Sequence, residues 1–252
     1  MSSNFRSVSS VQDFFSALSI PELSSFAESH PHLQEDVNRH ICTSRDSIII
    51  PFCSNVRGFW ESLRSGRGVV SGSAALKLIL PQWTCGWQIQ DLDLYLAHGH
   101  ETNLIAFLAN EGFIVVGIVE DGYGELAGEA IDKVISLRRG EKSIDVIIAS
   151  SSLSAIAPIF RFHSTPVMNF FNAEVVFSAY PGLTIRYQGL VNYGRITTAG
   201  QEEKGHLLRC WQKYENRGYR FKEVSRRTVS DAWSPTVALL KVPYGVPLDE
   251  NE

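Results

Sequence analysis

Hydrophobic and polar positions change rhythm part-way along the chain. In the first part Phe14, Phe15, Leu18, Leu23, Phe26 and Leu33 recur at helix-like intervals, which predicts helical structure from Val11 to about Ile41. Ser19 with Glu22 forms an S-x-x-E capping signature, and Pro21 falls in the expected first turn, so a new helix starts near Ile20. Ile48 to Ile50 is a short apolar run ended by Pro51, and another helix is expected around residues 55–65. From there short strands and helices alternate. Residues 67–73 read as a buried strand entering a tight glycine turn, and 74–80 as a helix stopped by Pro81. Residues 101–111 form an amphipathic helix with Gly112 as its C-cap, and 113–119 a continuous apolar strand. A turn at 121–124 follows. Residues 131–137 and 143–149 are β-type runs around Arg138–Lys142, the pattern of a hairpin. Residues 151–162 read as a helix, and further apolar segments run through 166–187.

Within this pattern one stretch carries unusual chemistry. In Asp91-Leu92-Asp93-Leu94-Tyr95-Leu96 acidic and apolar residues alternate, so a strand sends Asp91, Asp93 and Tyr95 to one face and the leucines to the other. Two carboxylates spaced this way have backbones roughly 6.5 to 7 Å apart, close enough to converge on hard cations such as Mg²⁺. Aspartate is depleted in strands, so two in one strand call for a reason. The plainer reading is an amphipathic edge strand with one wet face. A third aspartate, Asp145, interrupts the β-branched run Ile144–Ile148, where burial is costly unless a cation or hydrogen bond compensates; an exposed start of the strand is the alternative. Upstream, Gly72-Ser73 joins a strand to a helix N-terminus. Glycine lets the backbone approach closely, and the free N–H groups with the helix dipole favour an anion such as phosphate. The plainer reading is that Ser73 simply caps the helix.

Other features are less specific. His98 and His100 have metal-compatible spacing or are two solvent-facing turn residues. Between residues 204 and 227 eight Lys and Arg stand against Glu215 and Glu223, with Trp211, Tyr214, Tyr219 and Phe221 interleaved. Such a stretch suits phosphates and stacked bases, or is an amphipathic helix with a solvated basic face.

Composition narrows the field. The 252 residues carry a net charge of -4 and are 44% hydrophobic and 20% charged. That is an ordinary globular composition and argues against a broad, non-specific nucleic-acid binder. Cys42, Cys53, Cys85 and Cys210 show no C-x-x-C or zinc spacing and read as reduced thiols. No apolar run reaches membrane-spanning length, and Met1–Ser10 lacks the apolar core of a signal peptide. These features predict a cytoplasmic or nuclear protein. Residues 1–10 and the Pro- and acid-rich tail after Val242 are expected to be loosely ordered.

Val70-Ser71-Gly72-Ser73, Asp91-Leu92-Asp93-Leu94 and Ile144-Asp145-Val146, in that order, resemble the nucleotidyltransferase fold of the polymerase β type. Ser71–Leu76 with Asp91–Tyr95 also resembles a large group of such proteins in filamentous fungi. The likeness covers roughly residues 66–150. Between a helical N-terminal segment at 1–65 and an α/β C-terminal section at 166–252, both read from the hydrophobic pattern, it implies an α+β core at 66–165, a mixed sheet flanked by helices. It further implies Mg²⁺-dependent nucleotidyl transfer from a nucleoside triphosphate. Asp91, Asp93 and Asp145 would be the catalytic residues holding two Mg²⁺ ions and Gly72 and Ser73 would bind nucleotide, joined by Lys213 and Tyr214 from the basic-aromatic stretch, which lies outside the likeness. The acceptor would be an RNA end, a protein or a small molecule. One departure stands out: 17 residues separate Ser73 from Asp91, more than is usual in that superfamily. The excess segment, 81–90, holds Trp83 and Trp87 and is expected to be a surface loop or a flap over the base.

Two other readings are open. One is a catalytically idle fold used for protein interaction through the N-terminal helices, where Leu18–Leu23 with the following helix faintly resembles an F-box or is a plain helical pad against the core. A D-x-D pair also serves glycosyltransferases, but that reading gives no role to Gly72, Ser73 or Asp145.

Overall fold

The computed structural model describes residues 10–120, 130–192, 201–222 and 238–241. The expected turn at 121–124, residues 1–9, Arg226, Arg227 and the tail after Val242 lie outside these. Among the described residues no helix is long and apolar enough to cross a membrane.

The N-terminal helices form as the hydrophobic pattern predicts. They are α1 (Val11–Ser16), α2 (Ile20–Ser29), α3 (Gln34–Ile49) and α4 (Val56–Ser65). At the start of α2 the Ser19 backbone N–H and hydroxyl both donate to Glu22, at 2.8 and 2.6 Å. This answers donors that a helix start otherwise leaves unpaired. Ile48 and Ile49 form no separate segment: they are the buried last turn of α3.

The strands are β1 (Val69–Ser71), β2 (Asp91–Leu96), β3 (Ile114–Glu120), β4 (Ile131–Arg139), β5 (Lys142–Ala149), β6 (Asn169–Phe171), β7 (Val175–Ser178), β8 (Gln188–Leu190), β9 (Arg220–Lys222) and β10 (Ala238–Lys241). Eight of them make one sheet in the order β10-β7-β6-β1-β2-β5-β4-β3, and β8 and β9 form a separate parallel pair. Every neighbour in the large sheet is antiparallel except β2 and β5. The fold is thus α+β with a mixed, largely antiparallel sheet. The remaining helices are α5 (Gly72–Ile79), α6 (Thr102–Asn110), the single turn α7 (Pro181–Thr184) and α8 (Gln201–Glu215). Because β6 pairs with β1, residues on both sides of the 165/166 boundary share this sheet.

Alternation in β2 sorts its side chains between two layers. Leu92, Leu94 and Leu96 join Ile144, Val146 and Ile148 in the main core beneath the N-terminal helices and α6. Tyr95, Ile147, Val69 and Phe170 belong to a second cluster on the other face. At about 2 kcal/mol per fully buried side chain, the leucine face fixes which way β2 lies, and a one-residue slip would bury its aspartates.

Residues 151–162 do not form the expected helix. Ser151 and Ser154 accept from the backbone N–H groups of Leu153 and Ile156, at 3.2 and 3.4 Å, and only a short 3₁₀ turn at Ile159–Arg161 follows. Serine side chains competing locally for backbone donors favour turns over a helix. The basic stretch is not one helix either. It ends α8 at Glu215, turns through Gly218 (φ +94°) and continues as β9.

Candidate functional site

The three aspartates and the Gly-Ser turn come together at the centre of the sheet. Register pairs Ser71 with Asp93 across β1 and β2, and Asp93 with Asp145 across β2 and β5. Since Leu92, Leu94, Ile144 and Val146 point into the main core, Asp91, Asp93 and Asp145 share the opposite face. The edge-strand alternative for Asp91–Leu96 is excluded by the position of β2 between β1 and β5.

Gly72 opens α5 with φ +61°, in the left-handed region where side chains are strained. A Cβ placed on it would collide with Asp93 Oδ2. The glycine therefore serves twice, making the turn and letting the Asp93 carboxylate lie against the start of the helix. Ser71 is the N-cap residue, and its buried hydroxyl donates to the Asn169 carbonyl at 2.6 Å, which ties the turn to β6.

Ser73 does not cap α5. It is buried, accepts from Arg217 Nη1 at 2.9 Å and lies 3.5 Å from the Tyr214 hydroxyl. Arg217 in turn stacks on the Trp87 ring, 3.8 Å from its centroid, and Lys77 Nζ lies 5.5 Å from the same ring while donating to the Trp87 carbonyl at 2.9 Å. The 81–90 segment is accordingly pinned at the site through Trp87, whereas Trp83 is exposed. Among the described residues no carboxylate pairs with Lys77 or Arg217. Lys213, on α8, approaches Asp91 Oδ2 at 3.8 Å, with both side chains partly exposed. Tyr214 is buried against Leu76, Leu80 and Tyr219, so the basic-aromatic stretch contributes this ring to a core cluster rather than to a solvent-facing stacking platform.

Electrostatics follow from the crowding. Burial, then the neighbouring charges of Asp91 and Asp145, push the half-buried Asp93 carboxyl up to about 7, against a smaller opposing pull from Lys213. Burial also raises the Tyr214 phenol, which stays protonated and able to donate. Asp145 Oδ1 accepts from the Ser136 hydroxyl at 2.6 Å, a contact set by the β4–β5 register that opposes these two residues.

The chain matches no protein-family model, no curated protein and no solved structure. Its chemistry rests on its own geometry.

Carboxylate oxygens are the donors Mg²⁺ prefers, and Asp91, Asp93 and Asp145 bring three of these groups to one face of neighbouring strands. The donor types therefore fit that ion. As the side chains stand, no three His, Cys, Asp or Glu among the described residues converge into a metal cage: Asp91 leans to Lys213, Asp93 to Gly72 and Asp145 to Ser136. His98 faces Asp132, at 3.4 Å, and not the aspartate cluster. A separate cavity of about 180 Å³, lined in part by Trp60, Arg64, Asn172 and Glu174, shares no residue with the cluster.

Ser136, Arg217 and Lys77 are the site residues that sequence reasoning did not single out, whereas Trp87 belongs to the segment expected to be a surface loop or a flap. Ser136 was within reach, because the Arg138–Lys142 hairpin itself places Ser136 opposite Asp145. Arg217 was one cation among eight, with nothing in the spacing to set it apart.

Proposed function

We propose that the chain is a Mg²⁺-dependent nucleotidyltransferase acting on a nucleoside triphosphate. The observation that carries this reading is the close grouping of Asp91, Asp93 and Asp145 on two parallel neighbours, with Asp93 against Gly72 at the start of α5. Asp91, Asp93 and Asp145 would hold the metal, which when bound supplies charge neutralisation for the triphosphate and the leaving pyrophosphate. Arg217 is the cation a phosphate would meet first, since it covers Ser73, and Trp87 and Ser73 hold its guanidinium in place. Restricting such a side chain in advance lowers the ordering cost of binding. Lys213, beside Asp91, is suited to a second phosphate oxygen. Tyr214 supports Ser73 from below. Ser136 orients Asp145, whose carboxylate takes the proton of the acceptor hydroxyl. The hydroxyl oxygen then bonds to the α-phosphorus as the bond to the bridging oxygen breaks and pyrophosphate departs.

One observation favours a second reading, a fold of this kind used only for protein interaction. Arg217 and Lys213 already answer Ser73 and Asp91 within the chain, so the groups are satisfied without a ligand. A glycosyltransferase reading leaves the Gly72–Asp93 approach without a purpose. Incubation with each α-labelled ribonucleotide and Mg²⁺ decides between transfer and idleness. Transfer predicts label on an acceptor or on the chain itself, reduced at least about 100-fold in Asp145→Asn, in line with the loss of a positioned base. No label from any of the four nucleotides, across RNA, protein and small-molecule acceptors, favours the idle fold.

A further inference from the structure

Positive charge stands on both sides of the aspartate cluster, and the nucleotide reading uses one side only. Arg209 and Lys213 on α8, with Arg217 just past its end, follow one another at four-residue intervals, about 6 Å per step in a helix. Arg217 meets Ser73 and Lys213 meets Asp91. The row therefore runs from the Gly-Ser turn toward Asp91, and Arg209 stands one turn farther from Ser73. On the sheet, Arg138 lies on that far side as well. The β4–β5 ladder opposes Arg138 to Ser143 and Ser136 to Asp145. Ser136 bonds Asp145 on the cluster face, and strand residues two apart share a face, so Arg138 is on that face too. Its backbone is roughly 8 Å from that of Asp145, one strand across and two residues along. Arg209 and Arg138 are both exposed, and among the described residues no carboxylate pairs with either. Beyond β4 the sheet ends in β3, exposed along all seven residues.

We infer that the acceptor is the end of a single-stranded nucleic acid, and that Arg209 and Arg138 hold the phosphates next to its attacking sugar hydroxyl. The inference rests on the transferase reading above, because in-line displacement separates two sides of the cluster. Pyrophosphate leaves toward Ser73 and Arg217, so the hydroxyl enters from the opposite side, over β5, where Asp145 takes its proton. Its oxygen bonds to the α-phosphorus as the bond to the bridging oxygen breaks, and the strand grows by one nucleotide. A cation on the entry side meets the acceptor and not the leaving group. An uncharged acceptor gives Arg209 and Arg138 nothing to answer, whereas a strand brings one phosphate per nucleotide. Two such contacts are a small footprint. That suits a chain of net charge -4, and the end of a strand rather than a duplex laid across the surface.

Fluorescence anisotropy of a labelled single-stranded RNA of about 12 nucleotides, titrated with the full chain between about 50 and 200 mM salt, measures this contact. The RNA should bind with a Kd on the order of 10⁻⁴ to 10⁻⁶ M, and log affinity should fall against log salt with a slope of about -1.4, roughly -0.7 for each of two phosphates. Arg209→Ala and Arg138→Ala should each weaken binding about 3- to 10-fold and flatten the slope by about 0.7, and Arg209→Lys and Arg138→Lys should restore it. Single-stranded DNA of the same sequence should compete, and uridine monophosphate at the same molar concentration should not. No strand binding at about 50 mM salt, or a slope indifferent to both alanine variants, overturns the inference and points to a protein or uncharged acceptor. Displacement by uridine monophosphate overturns the strand in favour of a single nucleotide. The titration contains neither nucleoside triphosphate nor Mg²⁺, so its failure is distinct from failure of the transferase reading, which the labelled-nucleotide incubation tests.

Discussion

Asp93 concentrates the site's electrostatic conflict. Burial and two carboxylate neighbours hold its folded pKa near 7, well above an unfolded value of about 3.9. Between these values the folded state binds the extra proton. Folding stability of the metal-free protein should therefore fall as pH rises from about 4 to 7, then level off. Asp93→Asn removes this dependence: no difference from wild type near pH 4, and a higher melting temperature at pH 8, by about 2–4 °C for each kcal/mol recovered. Thermal melts across that range check it, and equal melting temperatures at pH 8 would contradict it. The three aspartates were legible in the sequence because carboxylates inside β-type runs are conspicuous. Their grouping was legible only through order along the chain. Arg217 over Ser73 was not, because a contact between residues 144 positions apart depends on how α8 folds back, and no local pattern encodes that.

At the scale of elements, a buried polar network joins the helical layer to the sheet. Arg45 Nε and Trp60 Nε1 both donate to Asp46 Oδ1 at 2.9 Å, and Arg45 also donates to the Ala173 carbonyl. The network links α3 and α4 to the turn between β6 and β7. Asp46→Ala leaves a buried guanidinium and an indole N–H without their acceptor and should cost on the order of 3–5 kcal/mol. Asp46→Asn keeps an acceptor for Trp60 and should cost less. Chemical denaturation midpoints order the two, and the reverse order would contradict the account. Capping and periodicity made α2, α4 and α6 legible, since those signals are local. The failed helix at 151–162 shows the limit of that approach: the serines able to cap a helix there bind their own neighbours instead.

For the molecule as a whole, the sheet could be read only in part. The β4–β5 hairpin follows from its turn, whereas the parallel pairing of β2 with β5 joins runs far apart in the chain, and neither run alone names the other. Placing β6 against β1, with β7 and β10 beyond, extends the sheet on the far side of the site, and nothing in those short apolar runs names their partners. The exposure of β3 was equally hidden, because an unbroken apolar strand reads as buried. The central claim is that this sheet centre binds a nucleoside triphosphate with Mg²⁺ through Asp91, Asp93 and Asp145. Calorimetric titration of the full chain with each of the four nucleotides, with and without Mg²⁺, tests it most directly. At least one nucleotide should bind with Mg²⁺, and chelation of the ion or the double change Asp91→Asn/Asp93→Asn should weaken binding at least about 100-fold, roughly 2.7 kcal/mol. Equal binding by the folded double variant, or by the wild type after the metal is removed, would contradict the account.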